Sequence, residues 1–228
     1  RRRRFWGLLT AAMLGLIVAA ALLRPGRTPE RRSLEAGKQA FAARRYAEAA
    51  ALFQEALAQR PDLKPQVAQP YAAALRHQAA QVLDADPQQA RDLLVRSLEL
   101  DGESPEGHFN LGLALLRLEA FDQAREAFER VTVLQPAMPD AWFNLGYALD
   151  RLGETEGAAA SYTRAVELAP PYLDEVLYNL ALIEEQRGDL AACLQRLDGA
   201  VQANPRNAQA VGYRERIRRR MGKAYETE

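Results

Sequence analysis

Asn110-Leu111-Gly112 returns 34 residues later as Asn144-Leu145-Gly146, and after a further 35 as Asn179-Leu180-Ala181. Twelve residues beyond the end of each triplet stands a small residue: Ala124, Ala158 and Cys193. Four residues further comes a bulky one, Phe128, Tyr162 or Leu197, and a proline closes each unit at Pro136, Pro170 and Pro205. A fixed period in this range constrains the fold more than any composition does. Each unit buries its apolar face only against its neighbours, so the chain must stack hairpins. Ala, Leu, Glu, Gln and Arg dominate and β-branched runs are few, so the hairpins are helical and the fold class is all-α.

The same offsets recur upstream. A first unit runs from about Glu30 to Leu63, marked by Gly37, Ala49, Phe53, Ala56 and Pro61. The later copies occupy 105–138, 139–172 and 174–207, with one inserted residue around Pro171. Residues 64–104 fit less well: aligned by Ala90 and Leu94, the first-helix slots hold Ala74, His77 and Gln78, and Gly102 replaces the closing proline. Lys64 to Pro70 reads as an insertion ahead of this degenerate second unit, whose second helix starts at Asp86-Pro87. Ala210, Tyr213, Ile217 and Met221 then predict a closing amphipathic helix over 208–222. Gly112 and Gly146 are expected to let the first helix press against the second at Ala124 and Ala158. Phe128 and Tyr162 are expected to fill the space between successive hairpins, each contributing about 1.5–3 kcal/mol by burial. Trp142 belongs with these core residues.

This pattern resembles the tetratricopeptide repeat (TPR) family, a 34-residue helix–turn–helix unit. The resemblance implies a right-handed helical-hairpin solenoid, with about five repeats over 30–207 and a capping helix and tail over 208–228. It also implies that the first helix of each hairpin lines a concave groove. Carried over by position, the groove receives Phe109, Asn110, Leu113, Leu116 and Arg117 from the third repeat. The fourth supplies Phe143, Asn144, Tyr147, Asp150 and Arg151, and the fifth Tyr178, Asn179, Leu182, Glu185 and Gln186. Some members of the family use such an asparagine ladder to bond the backbone of an extended peptide, since an amide both donates and accepts. Two alternatives stay open: the asparagines bond a neighbouring helix, or partners dock on another face. The chaperone-binding carboxylate clamp of the family needs Lys and Arg in this groove, and Phe109, Phe143 and Tyr178 occupy one of those slots.

The N-terminal residues 1–29 are of another class. Phe5 to Leu23 is 19 residues without a charge, flanked by Arg1–Arg4 and by Arg24, Arg27, Arg31 and Arg32. That length crosses the hydrocarbon core as a helix, with Trp6 placed as an interfacial aromatic, so a single transmembrane anchor is expected ahead of the solenoid. A cleaved signal peptide is the alternative, with Ala19-Ala20-Ala21 offering small residues. Gly7, Ala11, Gly15 and Ala19 fall at four-residue intervals, a stripe against which a second transmembrane helix could pack closely. Flanking arginines tie, so orientation rests on architecture: one soluble domain after an N-terminal anchor is expected outside the cytoplasm. The preference for Arg over Lys points to a bacterium, and the expected location is the cytoplasmic membrane with the repeats in the periplasm.

Catalysis finds no parts. His77 and His108 lie in different repeats, no His/Cys/Asp set has metal-ligand spacing, and no Gly-rich phosphate loop appears. Cys193 takes a small-residue packing slot, reads as an inert thiol and allows no intrachain disulfide. No cofactor or metal is expected. Lys plus Arg and Asp plus Glu are 30 each, so no global field draws the chain to nucleic acid. Only the closing helix is basic, through Arg214, Arg216, Arg218, Arg219, Arg220 and Lys223. It is either a solvated cap or a contact for lipid headgroups, an acidic partner or nucleic acid. The expectation is a membrane-anchored adaptor for protein partners, an accessory or assembly subunit of a larger complex. The alternative is a client-binding assembly chaperone, for example in cytochrome maturation or secretion.

Overall fold

A computed structural model describes residues 28–225. The expected span Phe5–Leu23 and its stripe of Gly7, Ala11, Gly15 and Ala19 lie outside the described residues. Among these, no helix is long and apolar enough to cross a membrane. The described chain is all helix: α1 (Pro29–Ala42), α2 (Tyr46–Gln59), a 3-10 turn at Pro61–Leu63, α3 (Lys64–Val82) and α4 (Pro87–Leu100). There follow α5 (Pro105–Arg117), α6 (Phe121–Leu134), α7 (Pro139–Arg151), α8 (Thr155–Glu167), α9 (Leu173–Gln186), α10 (Leu190–Ala203) and α11 (Ala208–Tyr225). Two compact units emerge. One comprises the described residues to Val82 with Asp92–Gly102, the other Leu83–Arg91 with the residues from Glu103 on.

Helix starts follow from local chemistry. Pro29, Pro87, Pro105 and Pro139 each open a helix, where a missing N–H removes nothing from the ladder. Side chains cap two of these helices and one more: Ser104 Oγ accepts from Gly107 N at 3.1 Å, Asp86 from Gln89 N and, at the start of α10, Asp189 from Ala192 N, both at 2.9 Å. Inside four hairpins the turn passes through the left-handed region. Gly153 (φ 77°) and Gly188 (φ 80°) adopt it freely, while Arg44 (φ 58°) and Glu119 (φ 56°) do so with a side chain.

In the second unit each hairpin closes around one pair of residues. Gly112 on α5 faces the ring of Phe128 on α6 so closely that a Cβ there would lie 2.6 Å from the ring; at Gly146 it would lie 2.8 Å from Tyr162. Phe128 is fully buried and Tyr162 is 1% exposed. The glycines therefore admit the ring of their own hairpin, not only Ala124 and Ala158, and the rings fill the hairpin interior before they reach the next repeat. Gly37 and Phe53 in the first unit repeat the device, at 2.8 Å. The last hairpin inverts it: Ala181 replaces the glycine and Leu197 the ring, both fully buried with Cys193. Onto that cluster α11 lays Tyr213 and Ile217, with Met221 at its edge.

The expected insertion Lys64–Pro70 is helical. It forms the first two turns of α3, a 19-residue helix that carries Pro70 inside it. Leu63, Val67 and Tyr71 are buried at helical spacing, and their packing offsets the backbone bond that Pro70 removes. Polar contacts tie α4 to α3. Ser97 Oγ donates to the Ala72 carbonyl at 2.9 Å, Arg96 Nη2 to Tyr71 Oη at 2.6 Å, and Arg76 pairs with Asp101 at 3.3 Å.

A further latch was not foreseen in the sequence. The second residue of a repeat's first helix is acidic at Glu30, Glu106, Asp140 and Asp174. Asp140 Oδ1 accepts from Tyr172 Oη at 2.7 Å, and Asp174 Oδ2 accepts from Asn204 and Asn207 amides at 2.9 and 2.8 Å. Glu30 meets Arg60 at 3.5 Å. Each of these three carboxylates thus holds the turn that ends its own repeat. Burial, then the bond to Asp140, push the Tyr172 hydroxyl above its ordinary range.

Candidate functional site: the first-helix faces of the second unit

The nine residues expected in the groove lie on three first helices: Phe109, Asn110 and Leu113 on α5, Phe143, Asn144 and Tyr147 on α7, Tyr178, Asn179 and Leu182 on α9. Eight are half-buried and Tyr147 is 36% exposed. The aromatic ones divide their surface between core and solvent. Phe109 meets Phe128 edge-on with ring centroids 5.7 Å apart, Phe143 meets Tyr162 at 5.7 Å and Tyr172 at 5.4 Å, and Tyr178 meets Tyr213 at 5.7 Å. Their positions are therefore fixed by packing, and a partner would contact their outer edges.

The three asparagines differ. Asn144 Nδ2 donates to the carbonyl of Asp140, one turn back on α7, at 2.7 Å. That bond stays within α7 and does not reach a neighbouring helix, the alternative considered from the sequence, and it leaves Asn144 Oδ1 as an acceptor. The side chains of Asn110 and Asn179 have no hydrogen-bond partner among the described residues. An unpartnered amide on a half-buried face is a ready donor and acceptor for an incoming backbone.

The cations beside these faces are already engaged. Arg151 Nη1 donates to Tyr147 Oη at 2.9 Å, and its guanidinium lies 4.4 Å from the Phe121 ring centroid. Arg117 pairs with Asp84 at 2.9 Å. On α11, Arg218 and Arg214 reach Asp198 at 2.8 and 3.7 Å, Arg220 reaches Glu185 at 2.8 Å, and Arg216 lies over the Tyr213 ring at 4.0 Å. Four arginines of the basic cap are thus matched to carboxylates and a ring of their own unit, which favours the solvated-cap alternative.

Beside Asn179 the surface opens into a cleft of about 470 Å³, lined by Asp174, Glu175, Tyr178 and Asn179 of α9, Asn204 and Asn207 of the following turn, and Gln209. No sequence signal pointed to it, because its walls come from the start and the closing turn of the fifth repeat and from α11. Cys193 is fully buried, and burial, with Glu185 and Glu184 adding to it, pushes its thiol up to about 11. The thiolate that nucleophilic chemistry needs is therefore scarce at neutral pH. Among the described residues no group of three or more His, Cys, Asp or Glu could hold a metal ion.

Comparison with known proteins follows the same lines. The sequence model of the Tetratricopeptide repeat family matches residues 84–130 and 109–172. Among solved structures, the fold is similar to the crystal structure of MamA, with a TM-score of 0.61 at 20% identity over 76% of this chain and 96% of that one. It is also similar to YrrB, described as a TPR protein with an unusual peptide-binding site, with a TM-score of 0.64 at 18% identity over 80% of this chain and 90% of that one. A thermophilic TPR protein of Thermus thermophilus gives 0.53 at 21% identity, over 82% and 98%. At such identities the likeness is one of fold. Sequence over 84–172 and the hairpin geometry together support the tetratricopeptide repeat family, and the described chain has the all-α helical-hairpin fold of that family's members.

Proposed function

We propose that this chain is a membrane-anchored scaffold that holds protein partners, with an extended segment of the partner lying across the first-helix faces of α5, α7 and α9. The observation that carries the reading is the pair of unpartnered amides, Asn110 and Asn179, set beside Phe109 and Tyr178 on half-buried faces. Packing holds the aromatic neighbours rigid, so little side-chain entropy is lost when a partner docks. A TPR fold shared with a peptide-binding protein supports the same reading.

Replacing Asn110, Asn144 and Asn179 together by Ala should weaken capture of the partner that co-purifies with the full chain. Each lost hydrogen bond contributes about 0.5–1.5 kcal/mol. The two free amides alone thus amount to a roughly 5- to 150-fold loss of affinity. Helical content by circular dichroism should be unchanged. Equal affinity of two folded proteins would move the interface to another face and leave the asparagines a structural role.

The anchor belongs to the same proposal, on the strength of the 19 uncharged residues from Phe5 to Leu23. The protein is expected in the membrane pellet after carbonate washing, at uncut mass, with hairpins that protease removes from intact spheroplasts of a bacterial host. A mature N-terminus at Leu22 or later would show a cleaved signal instead. Protection of the hairpins in spheroplasts would place them in the cytoplasm.

A further inference from the structure

We infer that the cleft at the start of α9 is a binding site for a basic side chain, lysine or arginine, of the segment lying on that face. The inference rests on the reading of the α9 face as a partner-binding surface and adds a selectivity to it.

The lining is polar throughout apart from the Tyr178 ring, and it holds two carboxylates and no cation. Asp174 forms the back wall. It is 7% exposed, and both asparagine amides fall on its Oδ2, while no described residue donates to Oδ1. A carboxylate has about four acceptor sites, so half of this one's capacity remains. Glu175 stands exposed at the mouth and forms no ion pair with any described residue. Neighbouring arginines do not supply the missing charge. Arg187 goes to Glu156 and Glu184, Arg214 and Arg218 to Asp198, and Arg220 to Glu185. Arg206, in the same turn, gives its backbone N–H to Asn204 Oδ1 at 3.1 Å and does not line the cleft.

An ammonium or guanidinium fits this set because it only donates, and three acceptors stand open to it: Asp174 Oδ1, the Glu175 carboxylate and the Asn179 side-chain carbonyl. The Tyr178 ring, held against Tyr213, gives the aliphatic stem a flat wall. Asn179 belongs both to the cleft and to the face on which the backbone would lie. A backbone bonded there can therefore turn its adjacent side chain into the cleft.

The test is a titration of the full chain with Nα-acetyl-lysine methylamide, read on the side-chain amide NMR signals of Asn179, Asn204 and Asn207. The norleucine counterpart, which keeps the stem and lacks the charge, is the control. Saturable shifts in the millimolar range are expected with the lysine derivative. Binding should be at least roughly tenfold weaker with norleucine or in Glu175→Gln, the loss that one hydrogen bond to a charged group represents. Gln209→Lys, which sets a fixed ammonium at the mouth, should remove the shifts while the backbone signals of α9 stay in place. Equal response to norleucine, no saturable shift with lysine, or full binding in Gln209→Lys would each overturn the inference. Because the probe is one residue long, its failure is separable from that of the groove. Lost amine selectivity with intact partner capture sinks only the cleft, and the reverse sinks only the groove.

Discussion

Phe128→Ala should destabilise the second unit by about 3–5 kcal/mol, the cost of removing a fully buried ring from a site that cannot collapse. Gly112→Ala should cost about 1–3 kcal/mol by the opposite route, because its Cβ would meet the Phe128 ring at 2.6 Å. Together these say little, since most core substitutions destabilise. The informative variant is Gly112→Ala combined with Phe128→Leu, which builds into the third repeat the Ala181 and Leu197 pair that the fifth already carries. Its cost should fall below the sum of Gly112→Ala and Phe128→Leu, each made alone, by about 0.5–3 kcal/mol, the coupling measured between residues in contact. Urea unfolding followed by circular dichroism gives the four corners of the cycle. Hydrogen exchange localises the loss to α5 and α6, since repeats unfold by neighbours rather than as a whole. Strict additivity would show that glycine and ring are not matched to one another.

Asp101→Ala should cost more than a surface ion pair can explain. Arg76 and Asp101 meet at 3.3 Å with side chains only 11% and 19% exposed. Removing Asp101 takes a carboxylate from a poorly hydrated guanidinium, and the other contacts of Arg76 together with the residual exposure keep the cost below that of breaking a fully buried pair, about 3–5 kcal/mol. The control is Asp84→Ala. Its pair with Arg117 is shorter, at 2.9 Å, yet the side chains are 86% and 60% exposed. Solvent screens that attraction, so about 0–1 kcal/mol is expected. Distance alone would rank the two pairs the other way, and chemical denaturation of the two variants decides between the criteria.

The hairpins were legible because the period fixes them. Asn-Leu-Gly, the small residue and the closing proline each mark a slot that helix geometry fills in only one way, and α5 to α10 fall where those slots require. The second repeat was harder to read. Lys64 to Pro70 stands outside the repeat alignment, which gave it no slot, whereas Leu63, Val67 and Tyr71 show by their burial that it packs as helix despite Pro70. The glycine's role was seen only in part. Sequence spacing gives which helix approaches, but only side-chain geometry shows that the ring, four residues past the alanine, is what the missing Cβ admits. Of the candidate site, the face was readable and its chemistry was not. Three asparagines look identical in sequence, yet Asn144 gives its amide to its own helix and the other two do not.

The latch between first helix and closing turn, seen in the first, fourth and fifth repeats, bears on how such a chain can vary. One carboxylate accepts a guanidinium at Arg60, a phenol at Tyr172 and two amides at Asn204 and Asn207. The turn is therefore located by a through-space bond and not by the number of peptide units leading to it. A connector can gain a residue, as happens near Pro171, while the carboxylate still finds a donor within reach. Tolerance of this sort lets selection lengthen or recompose the joints of a repeat array, leaving the outer faces of the first helices free to diverge one repeat at a time.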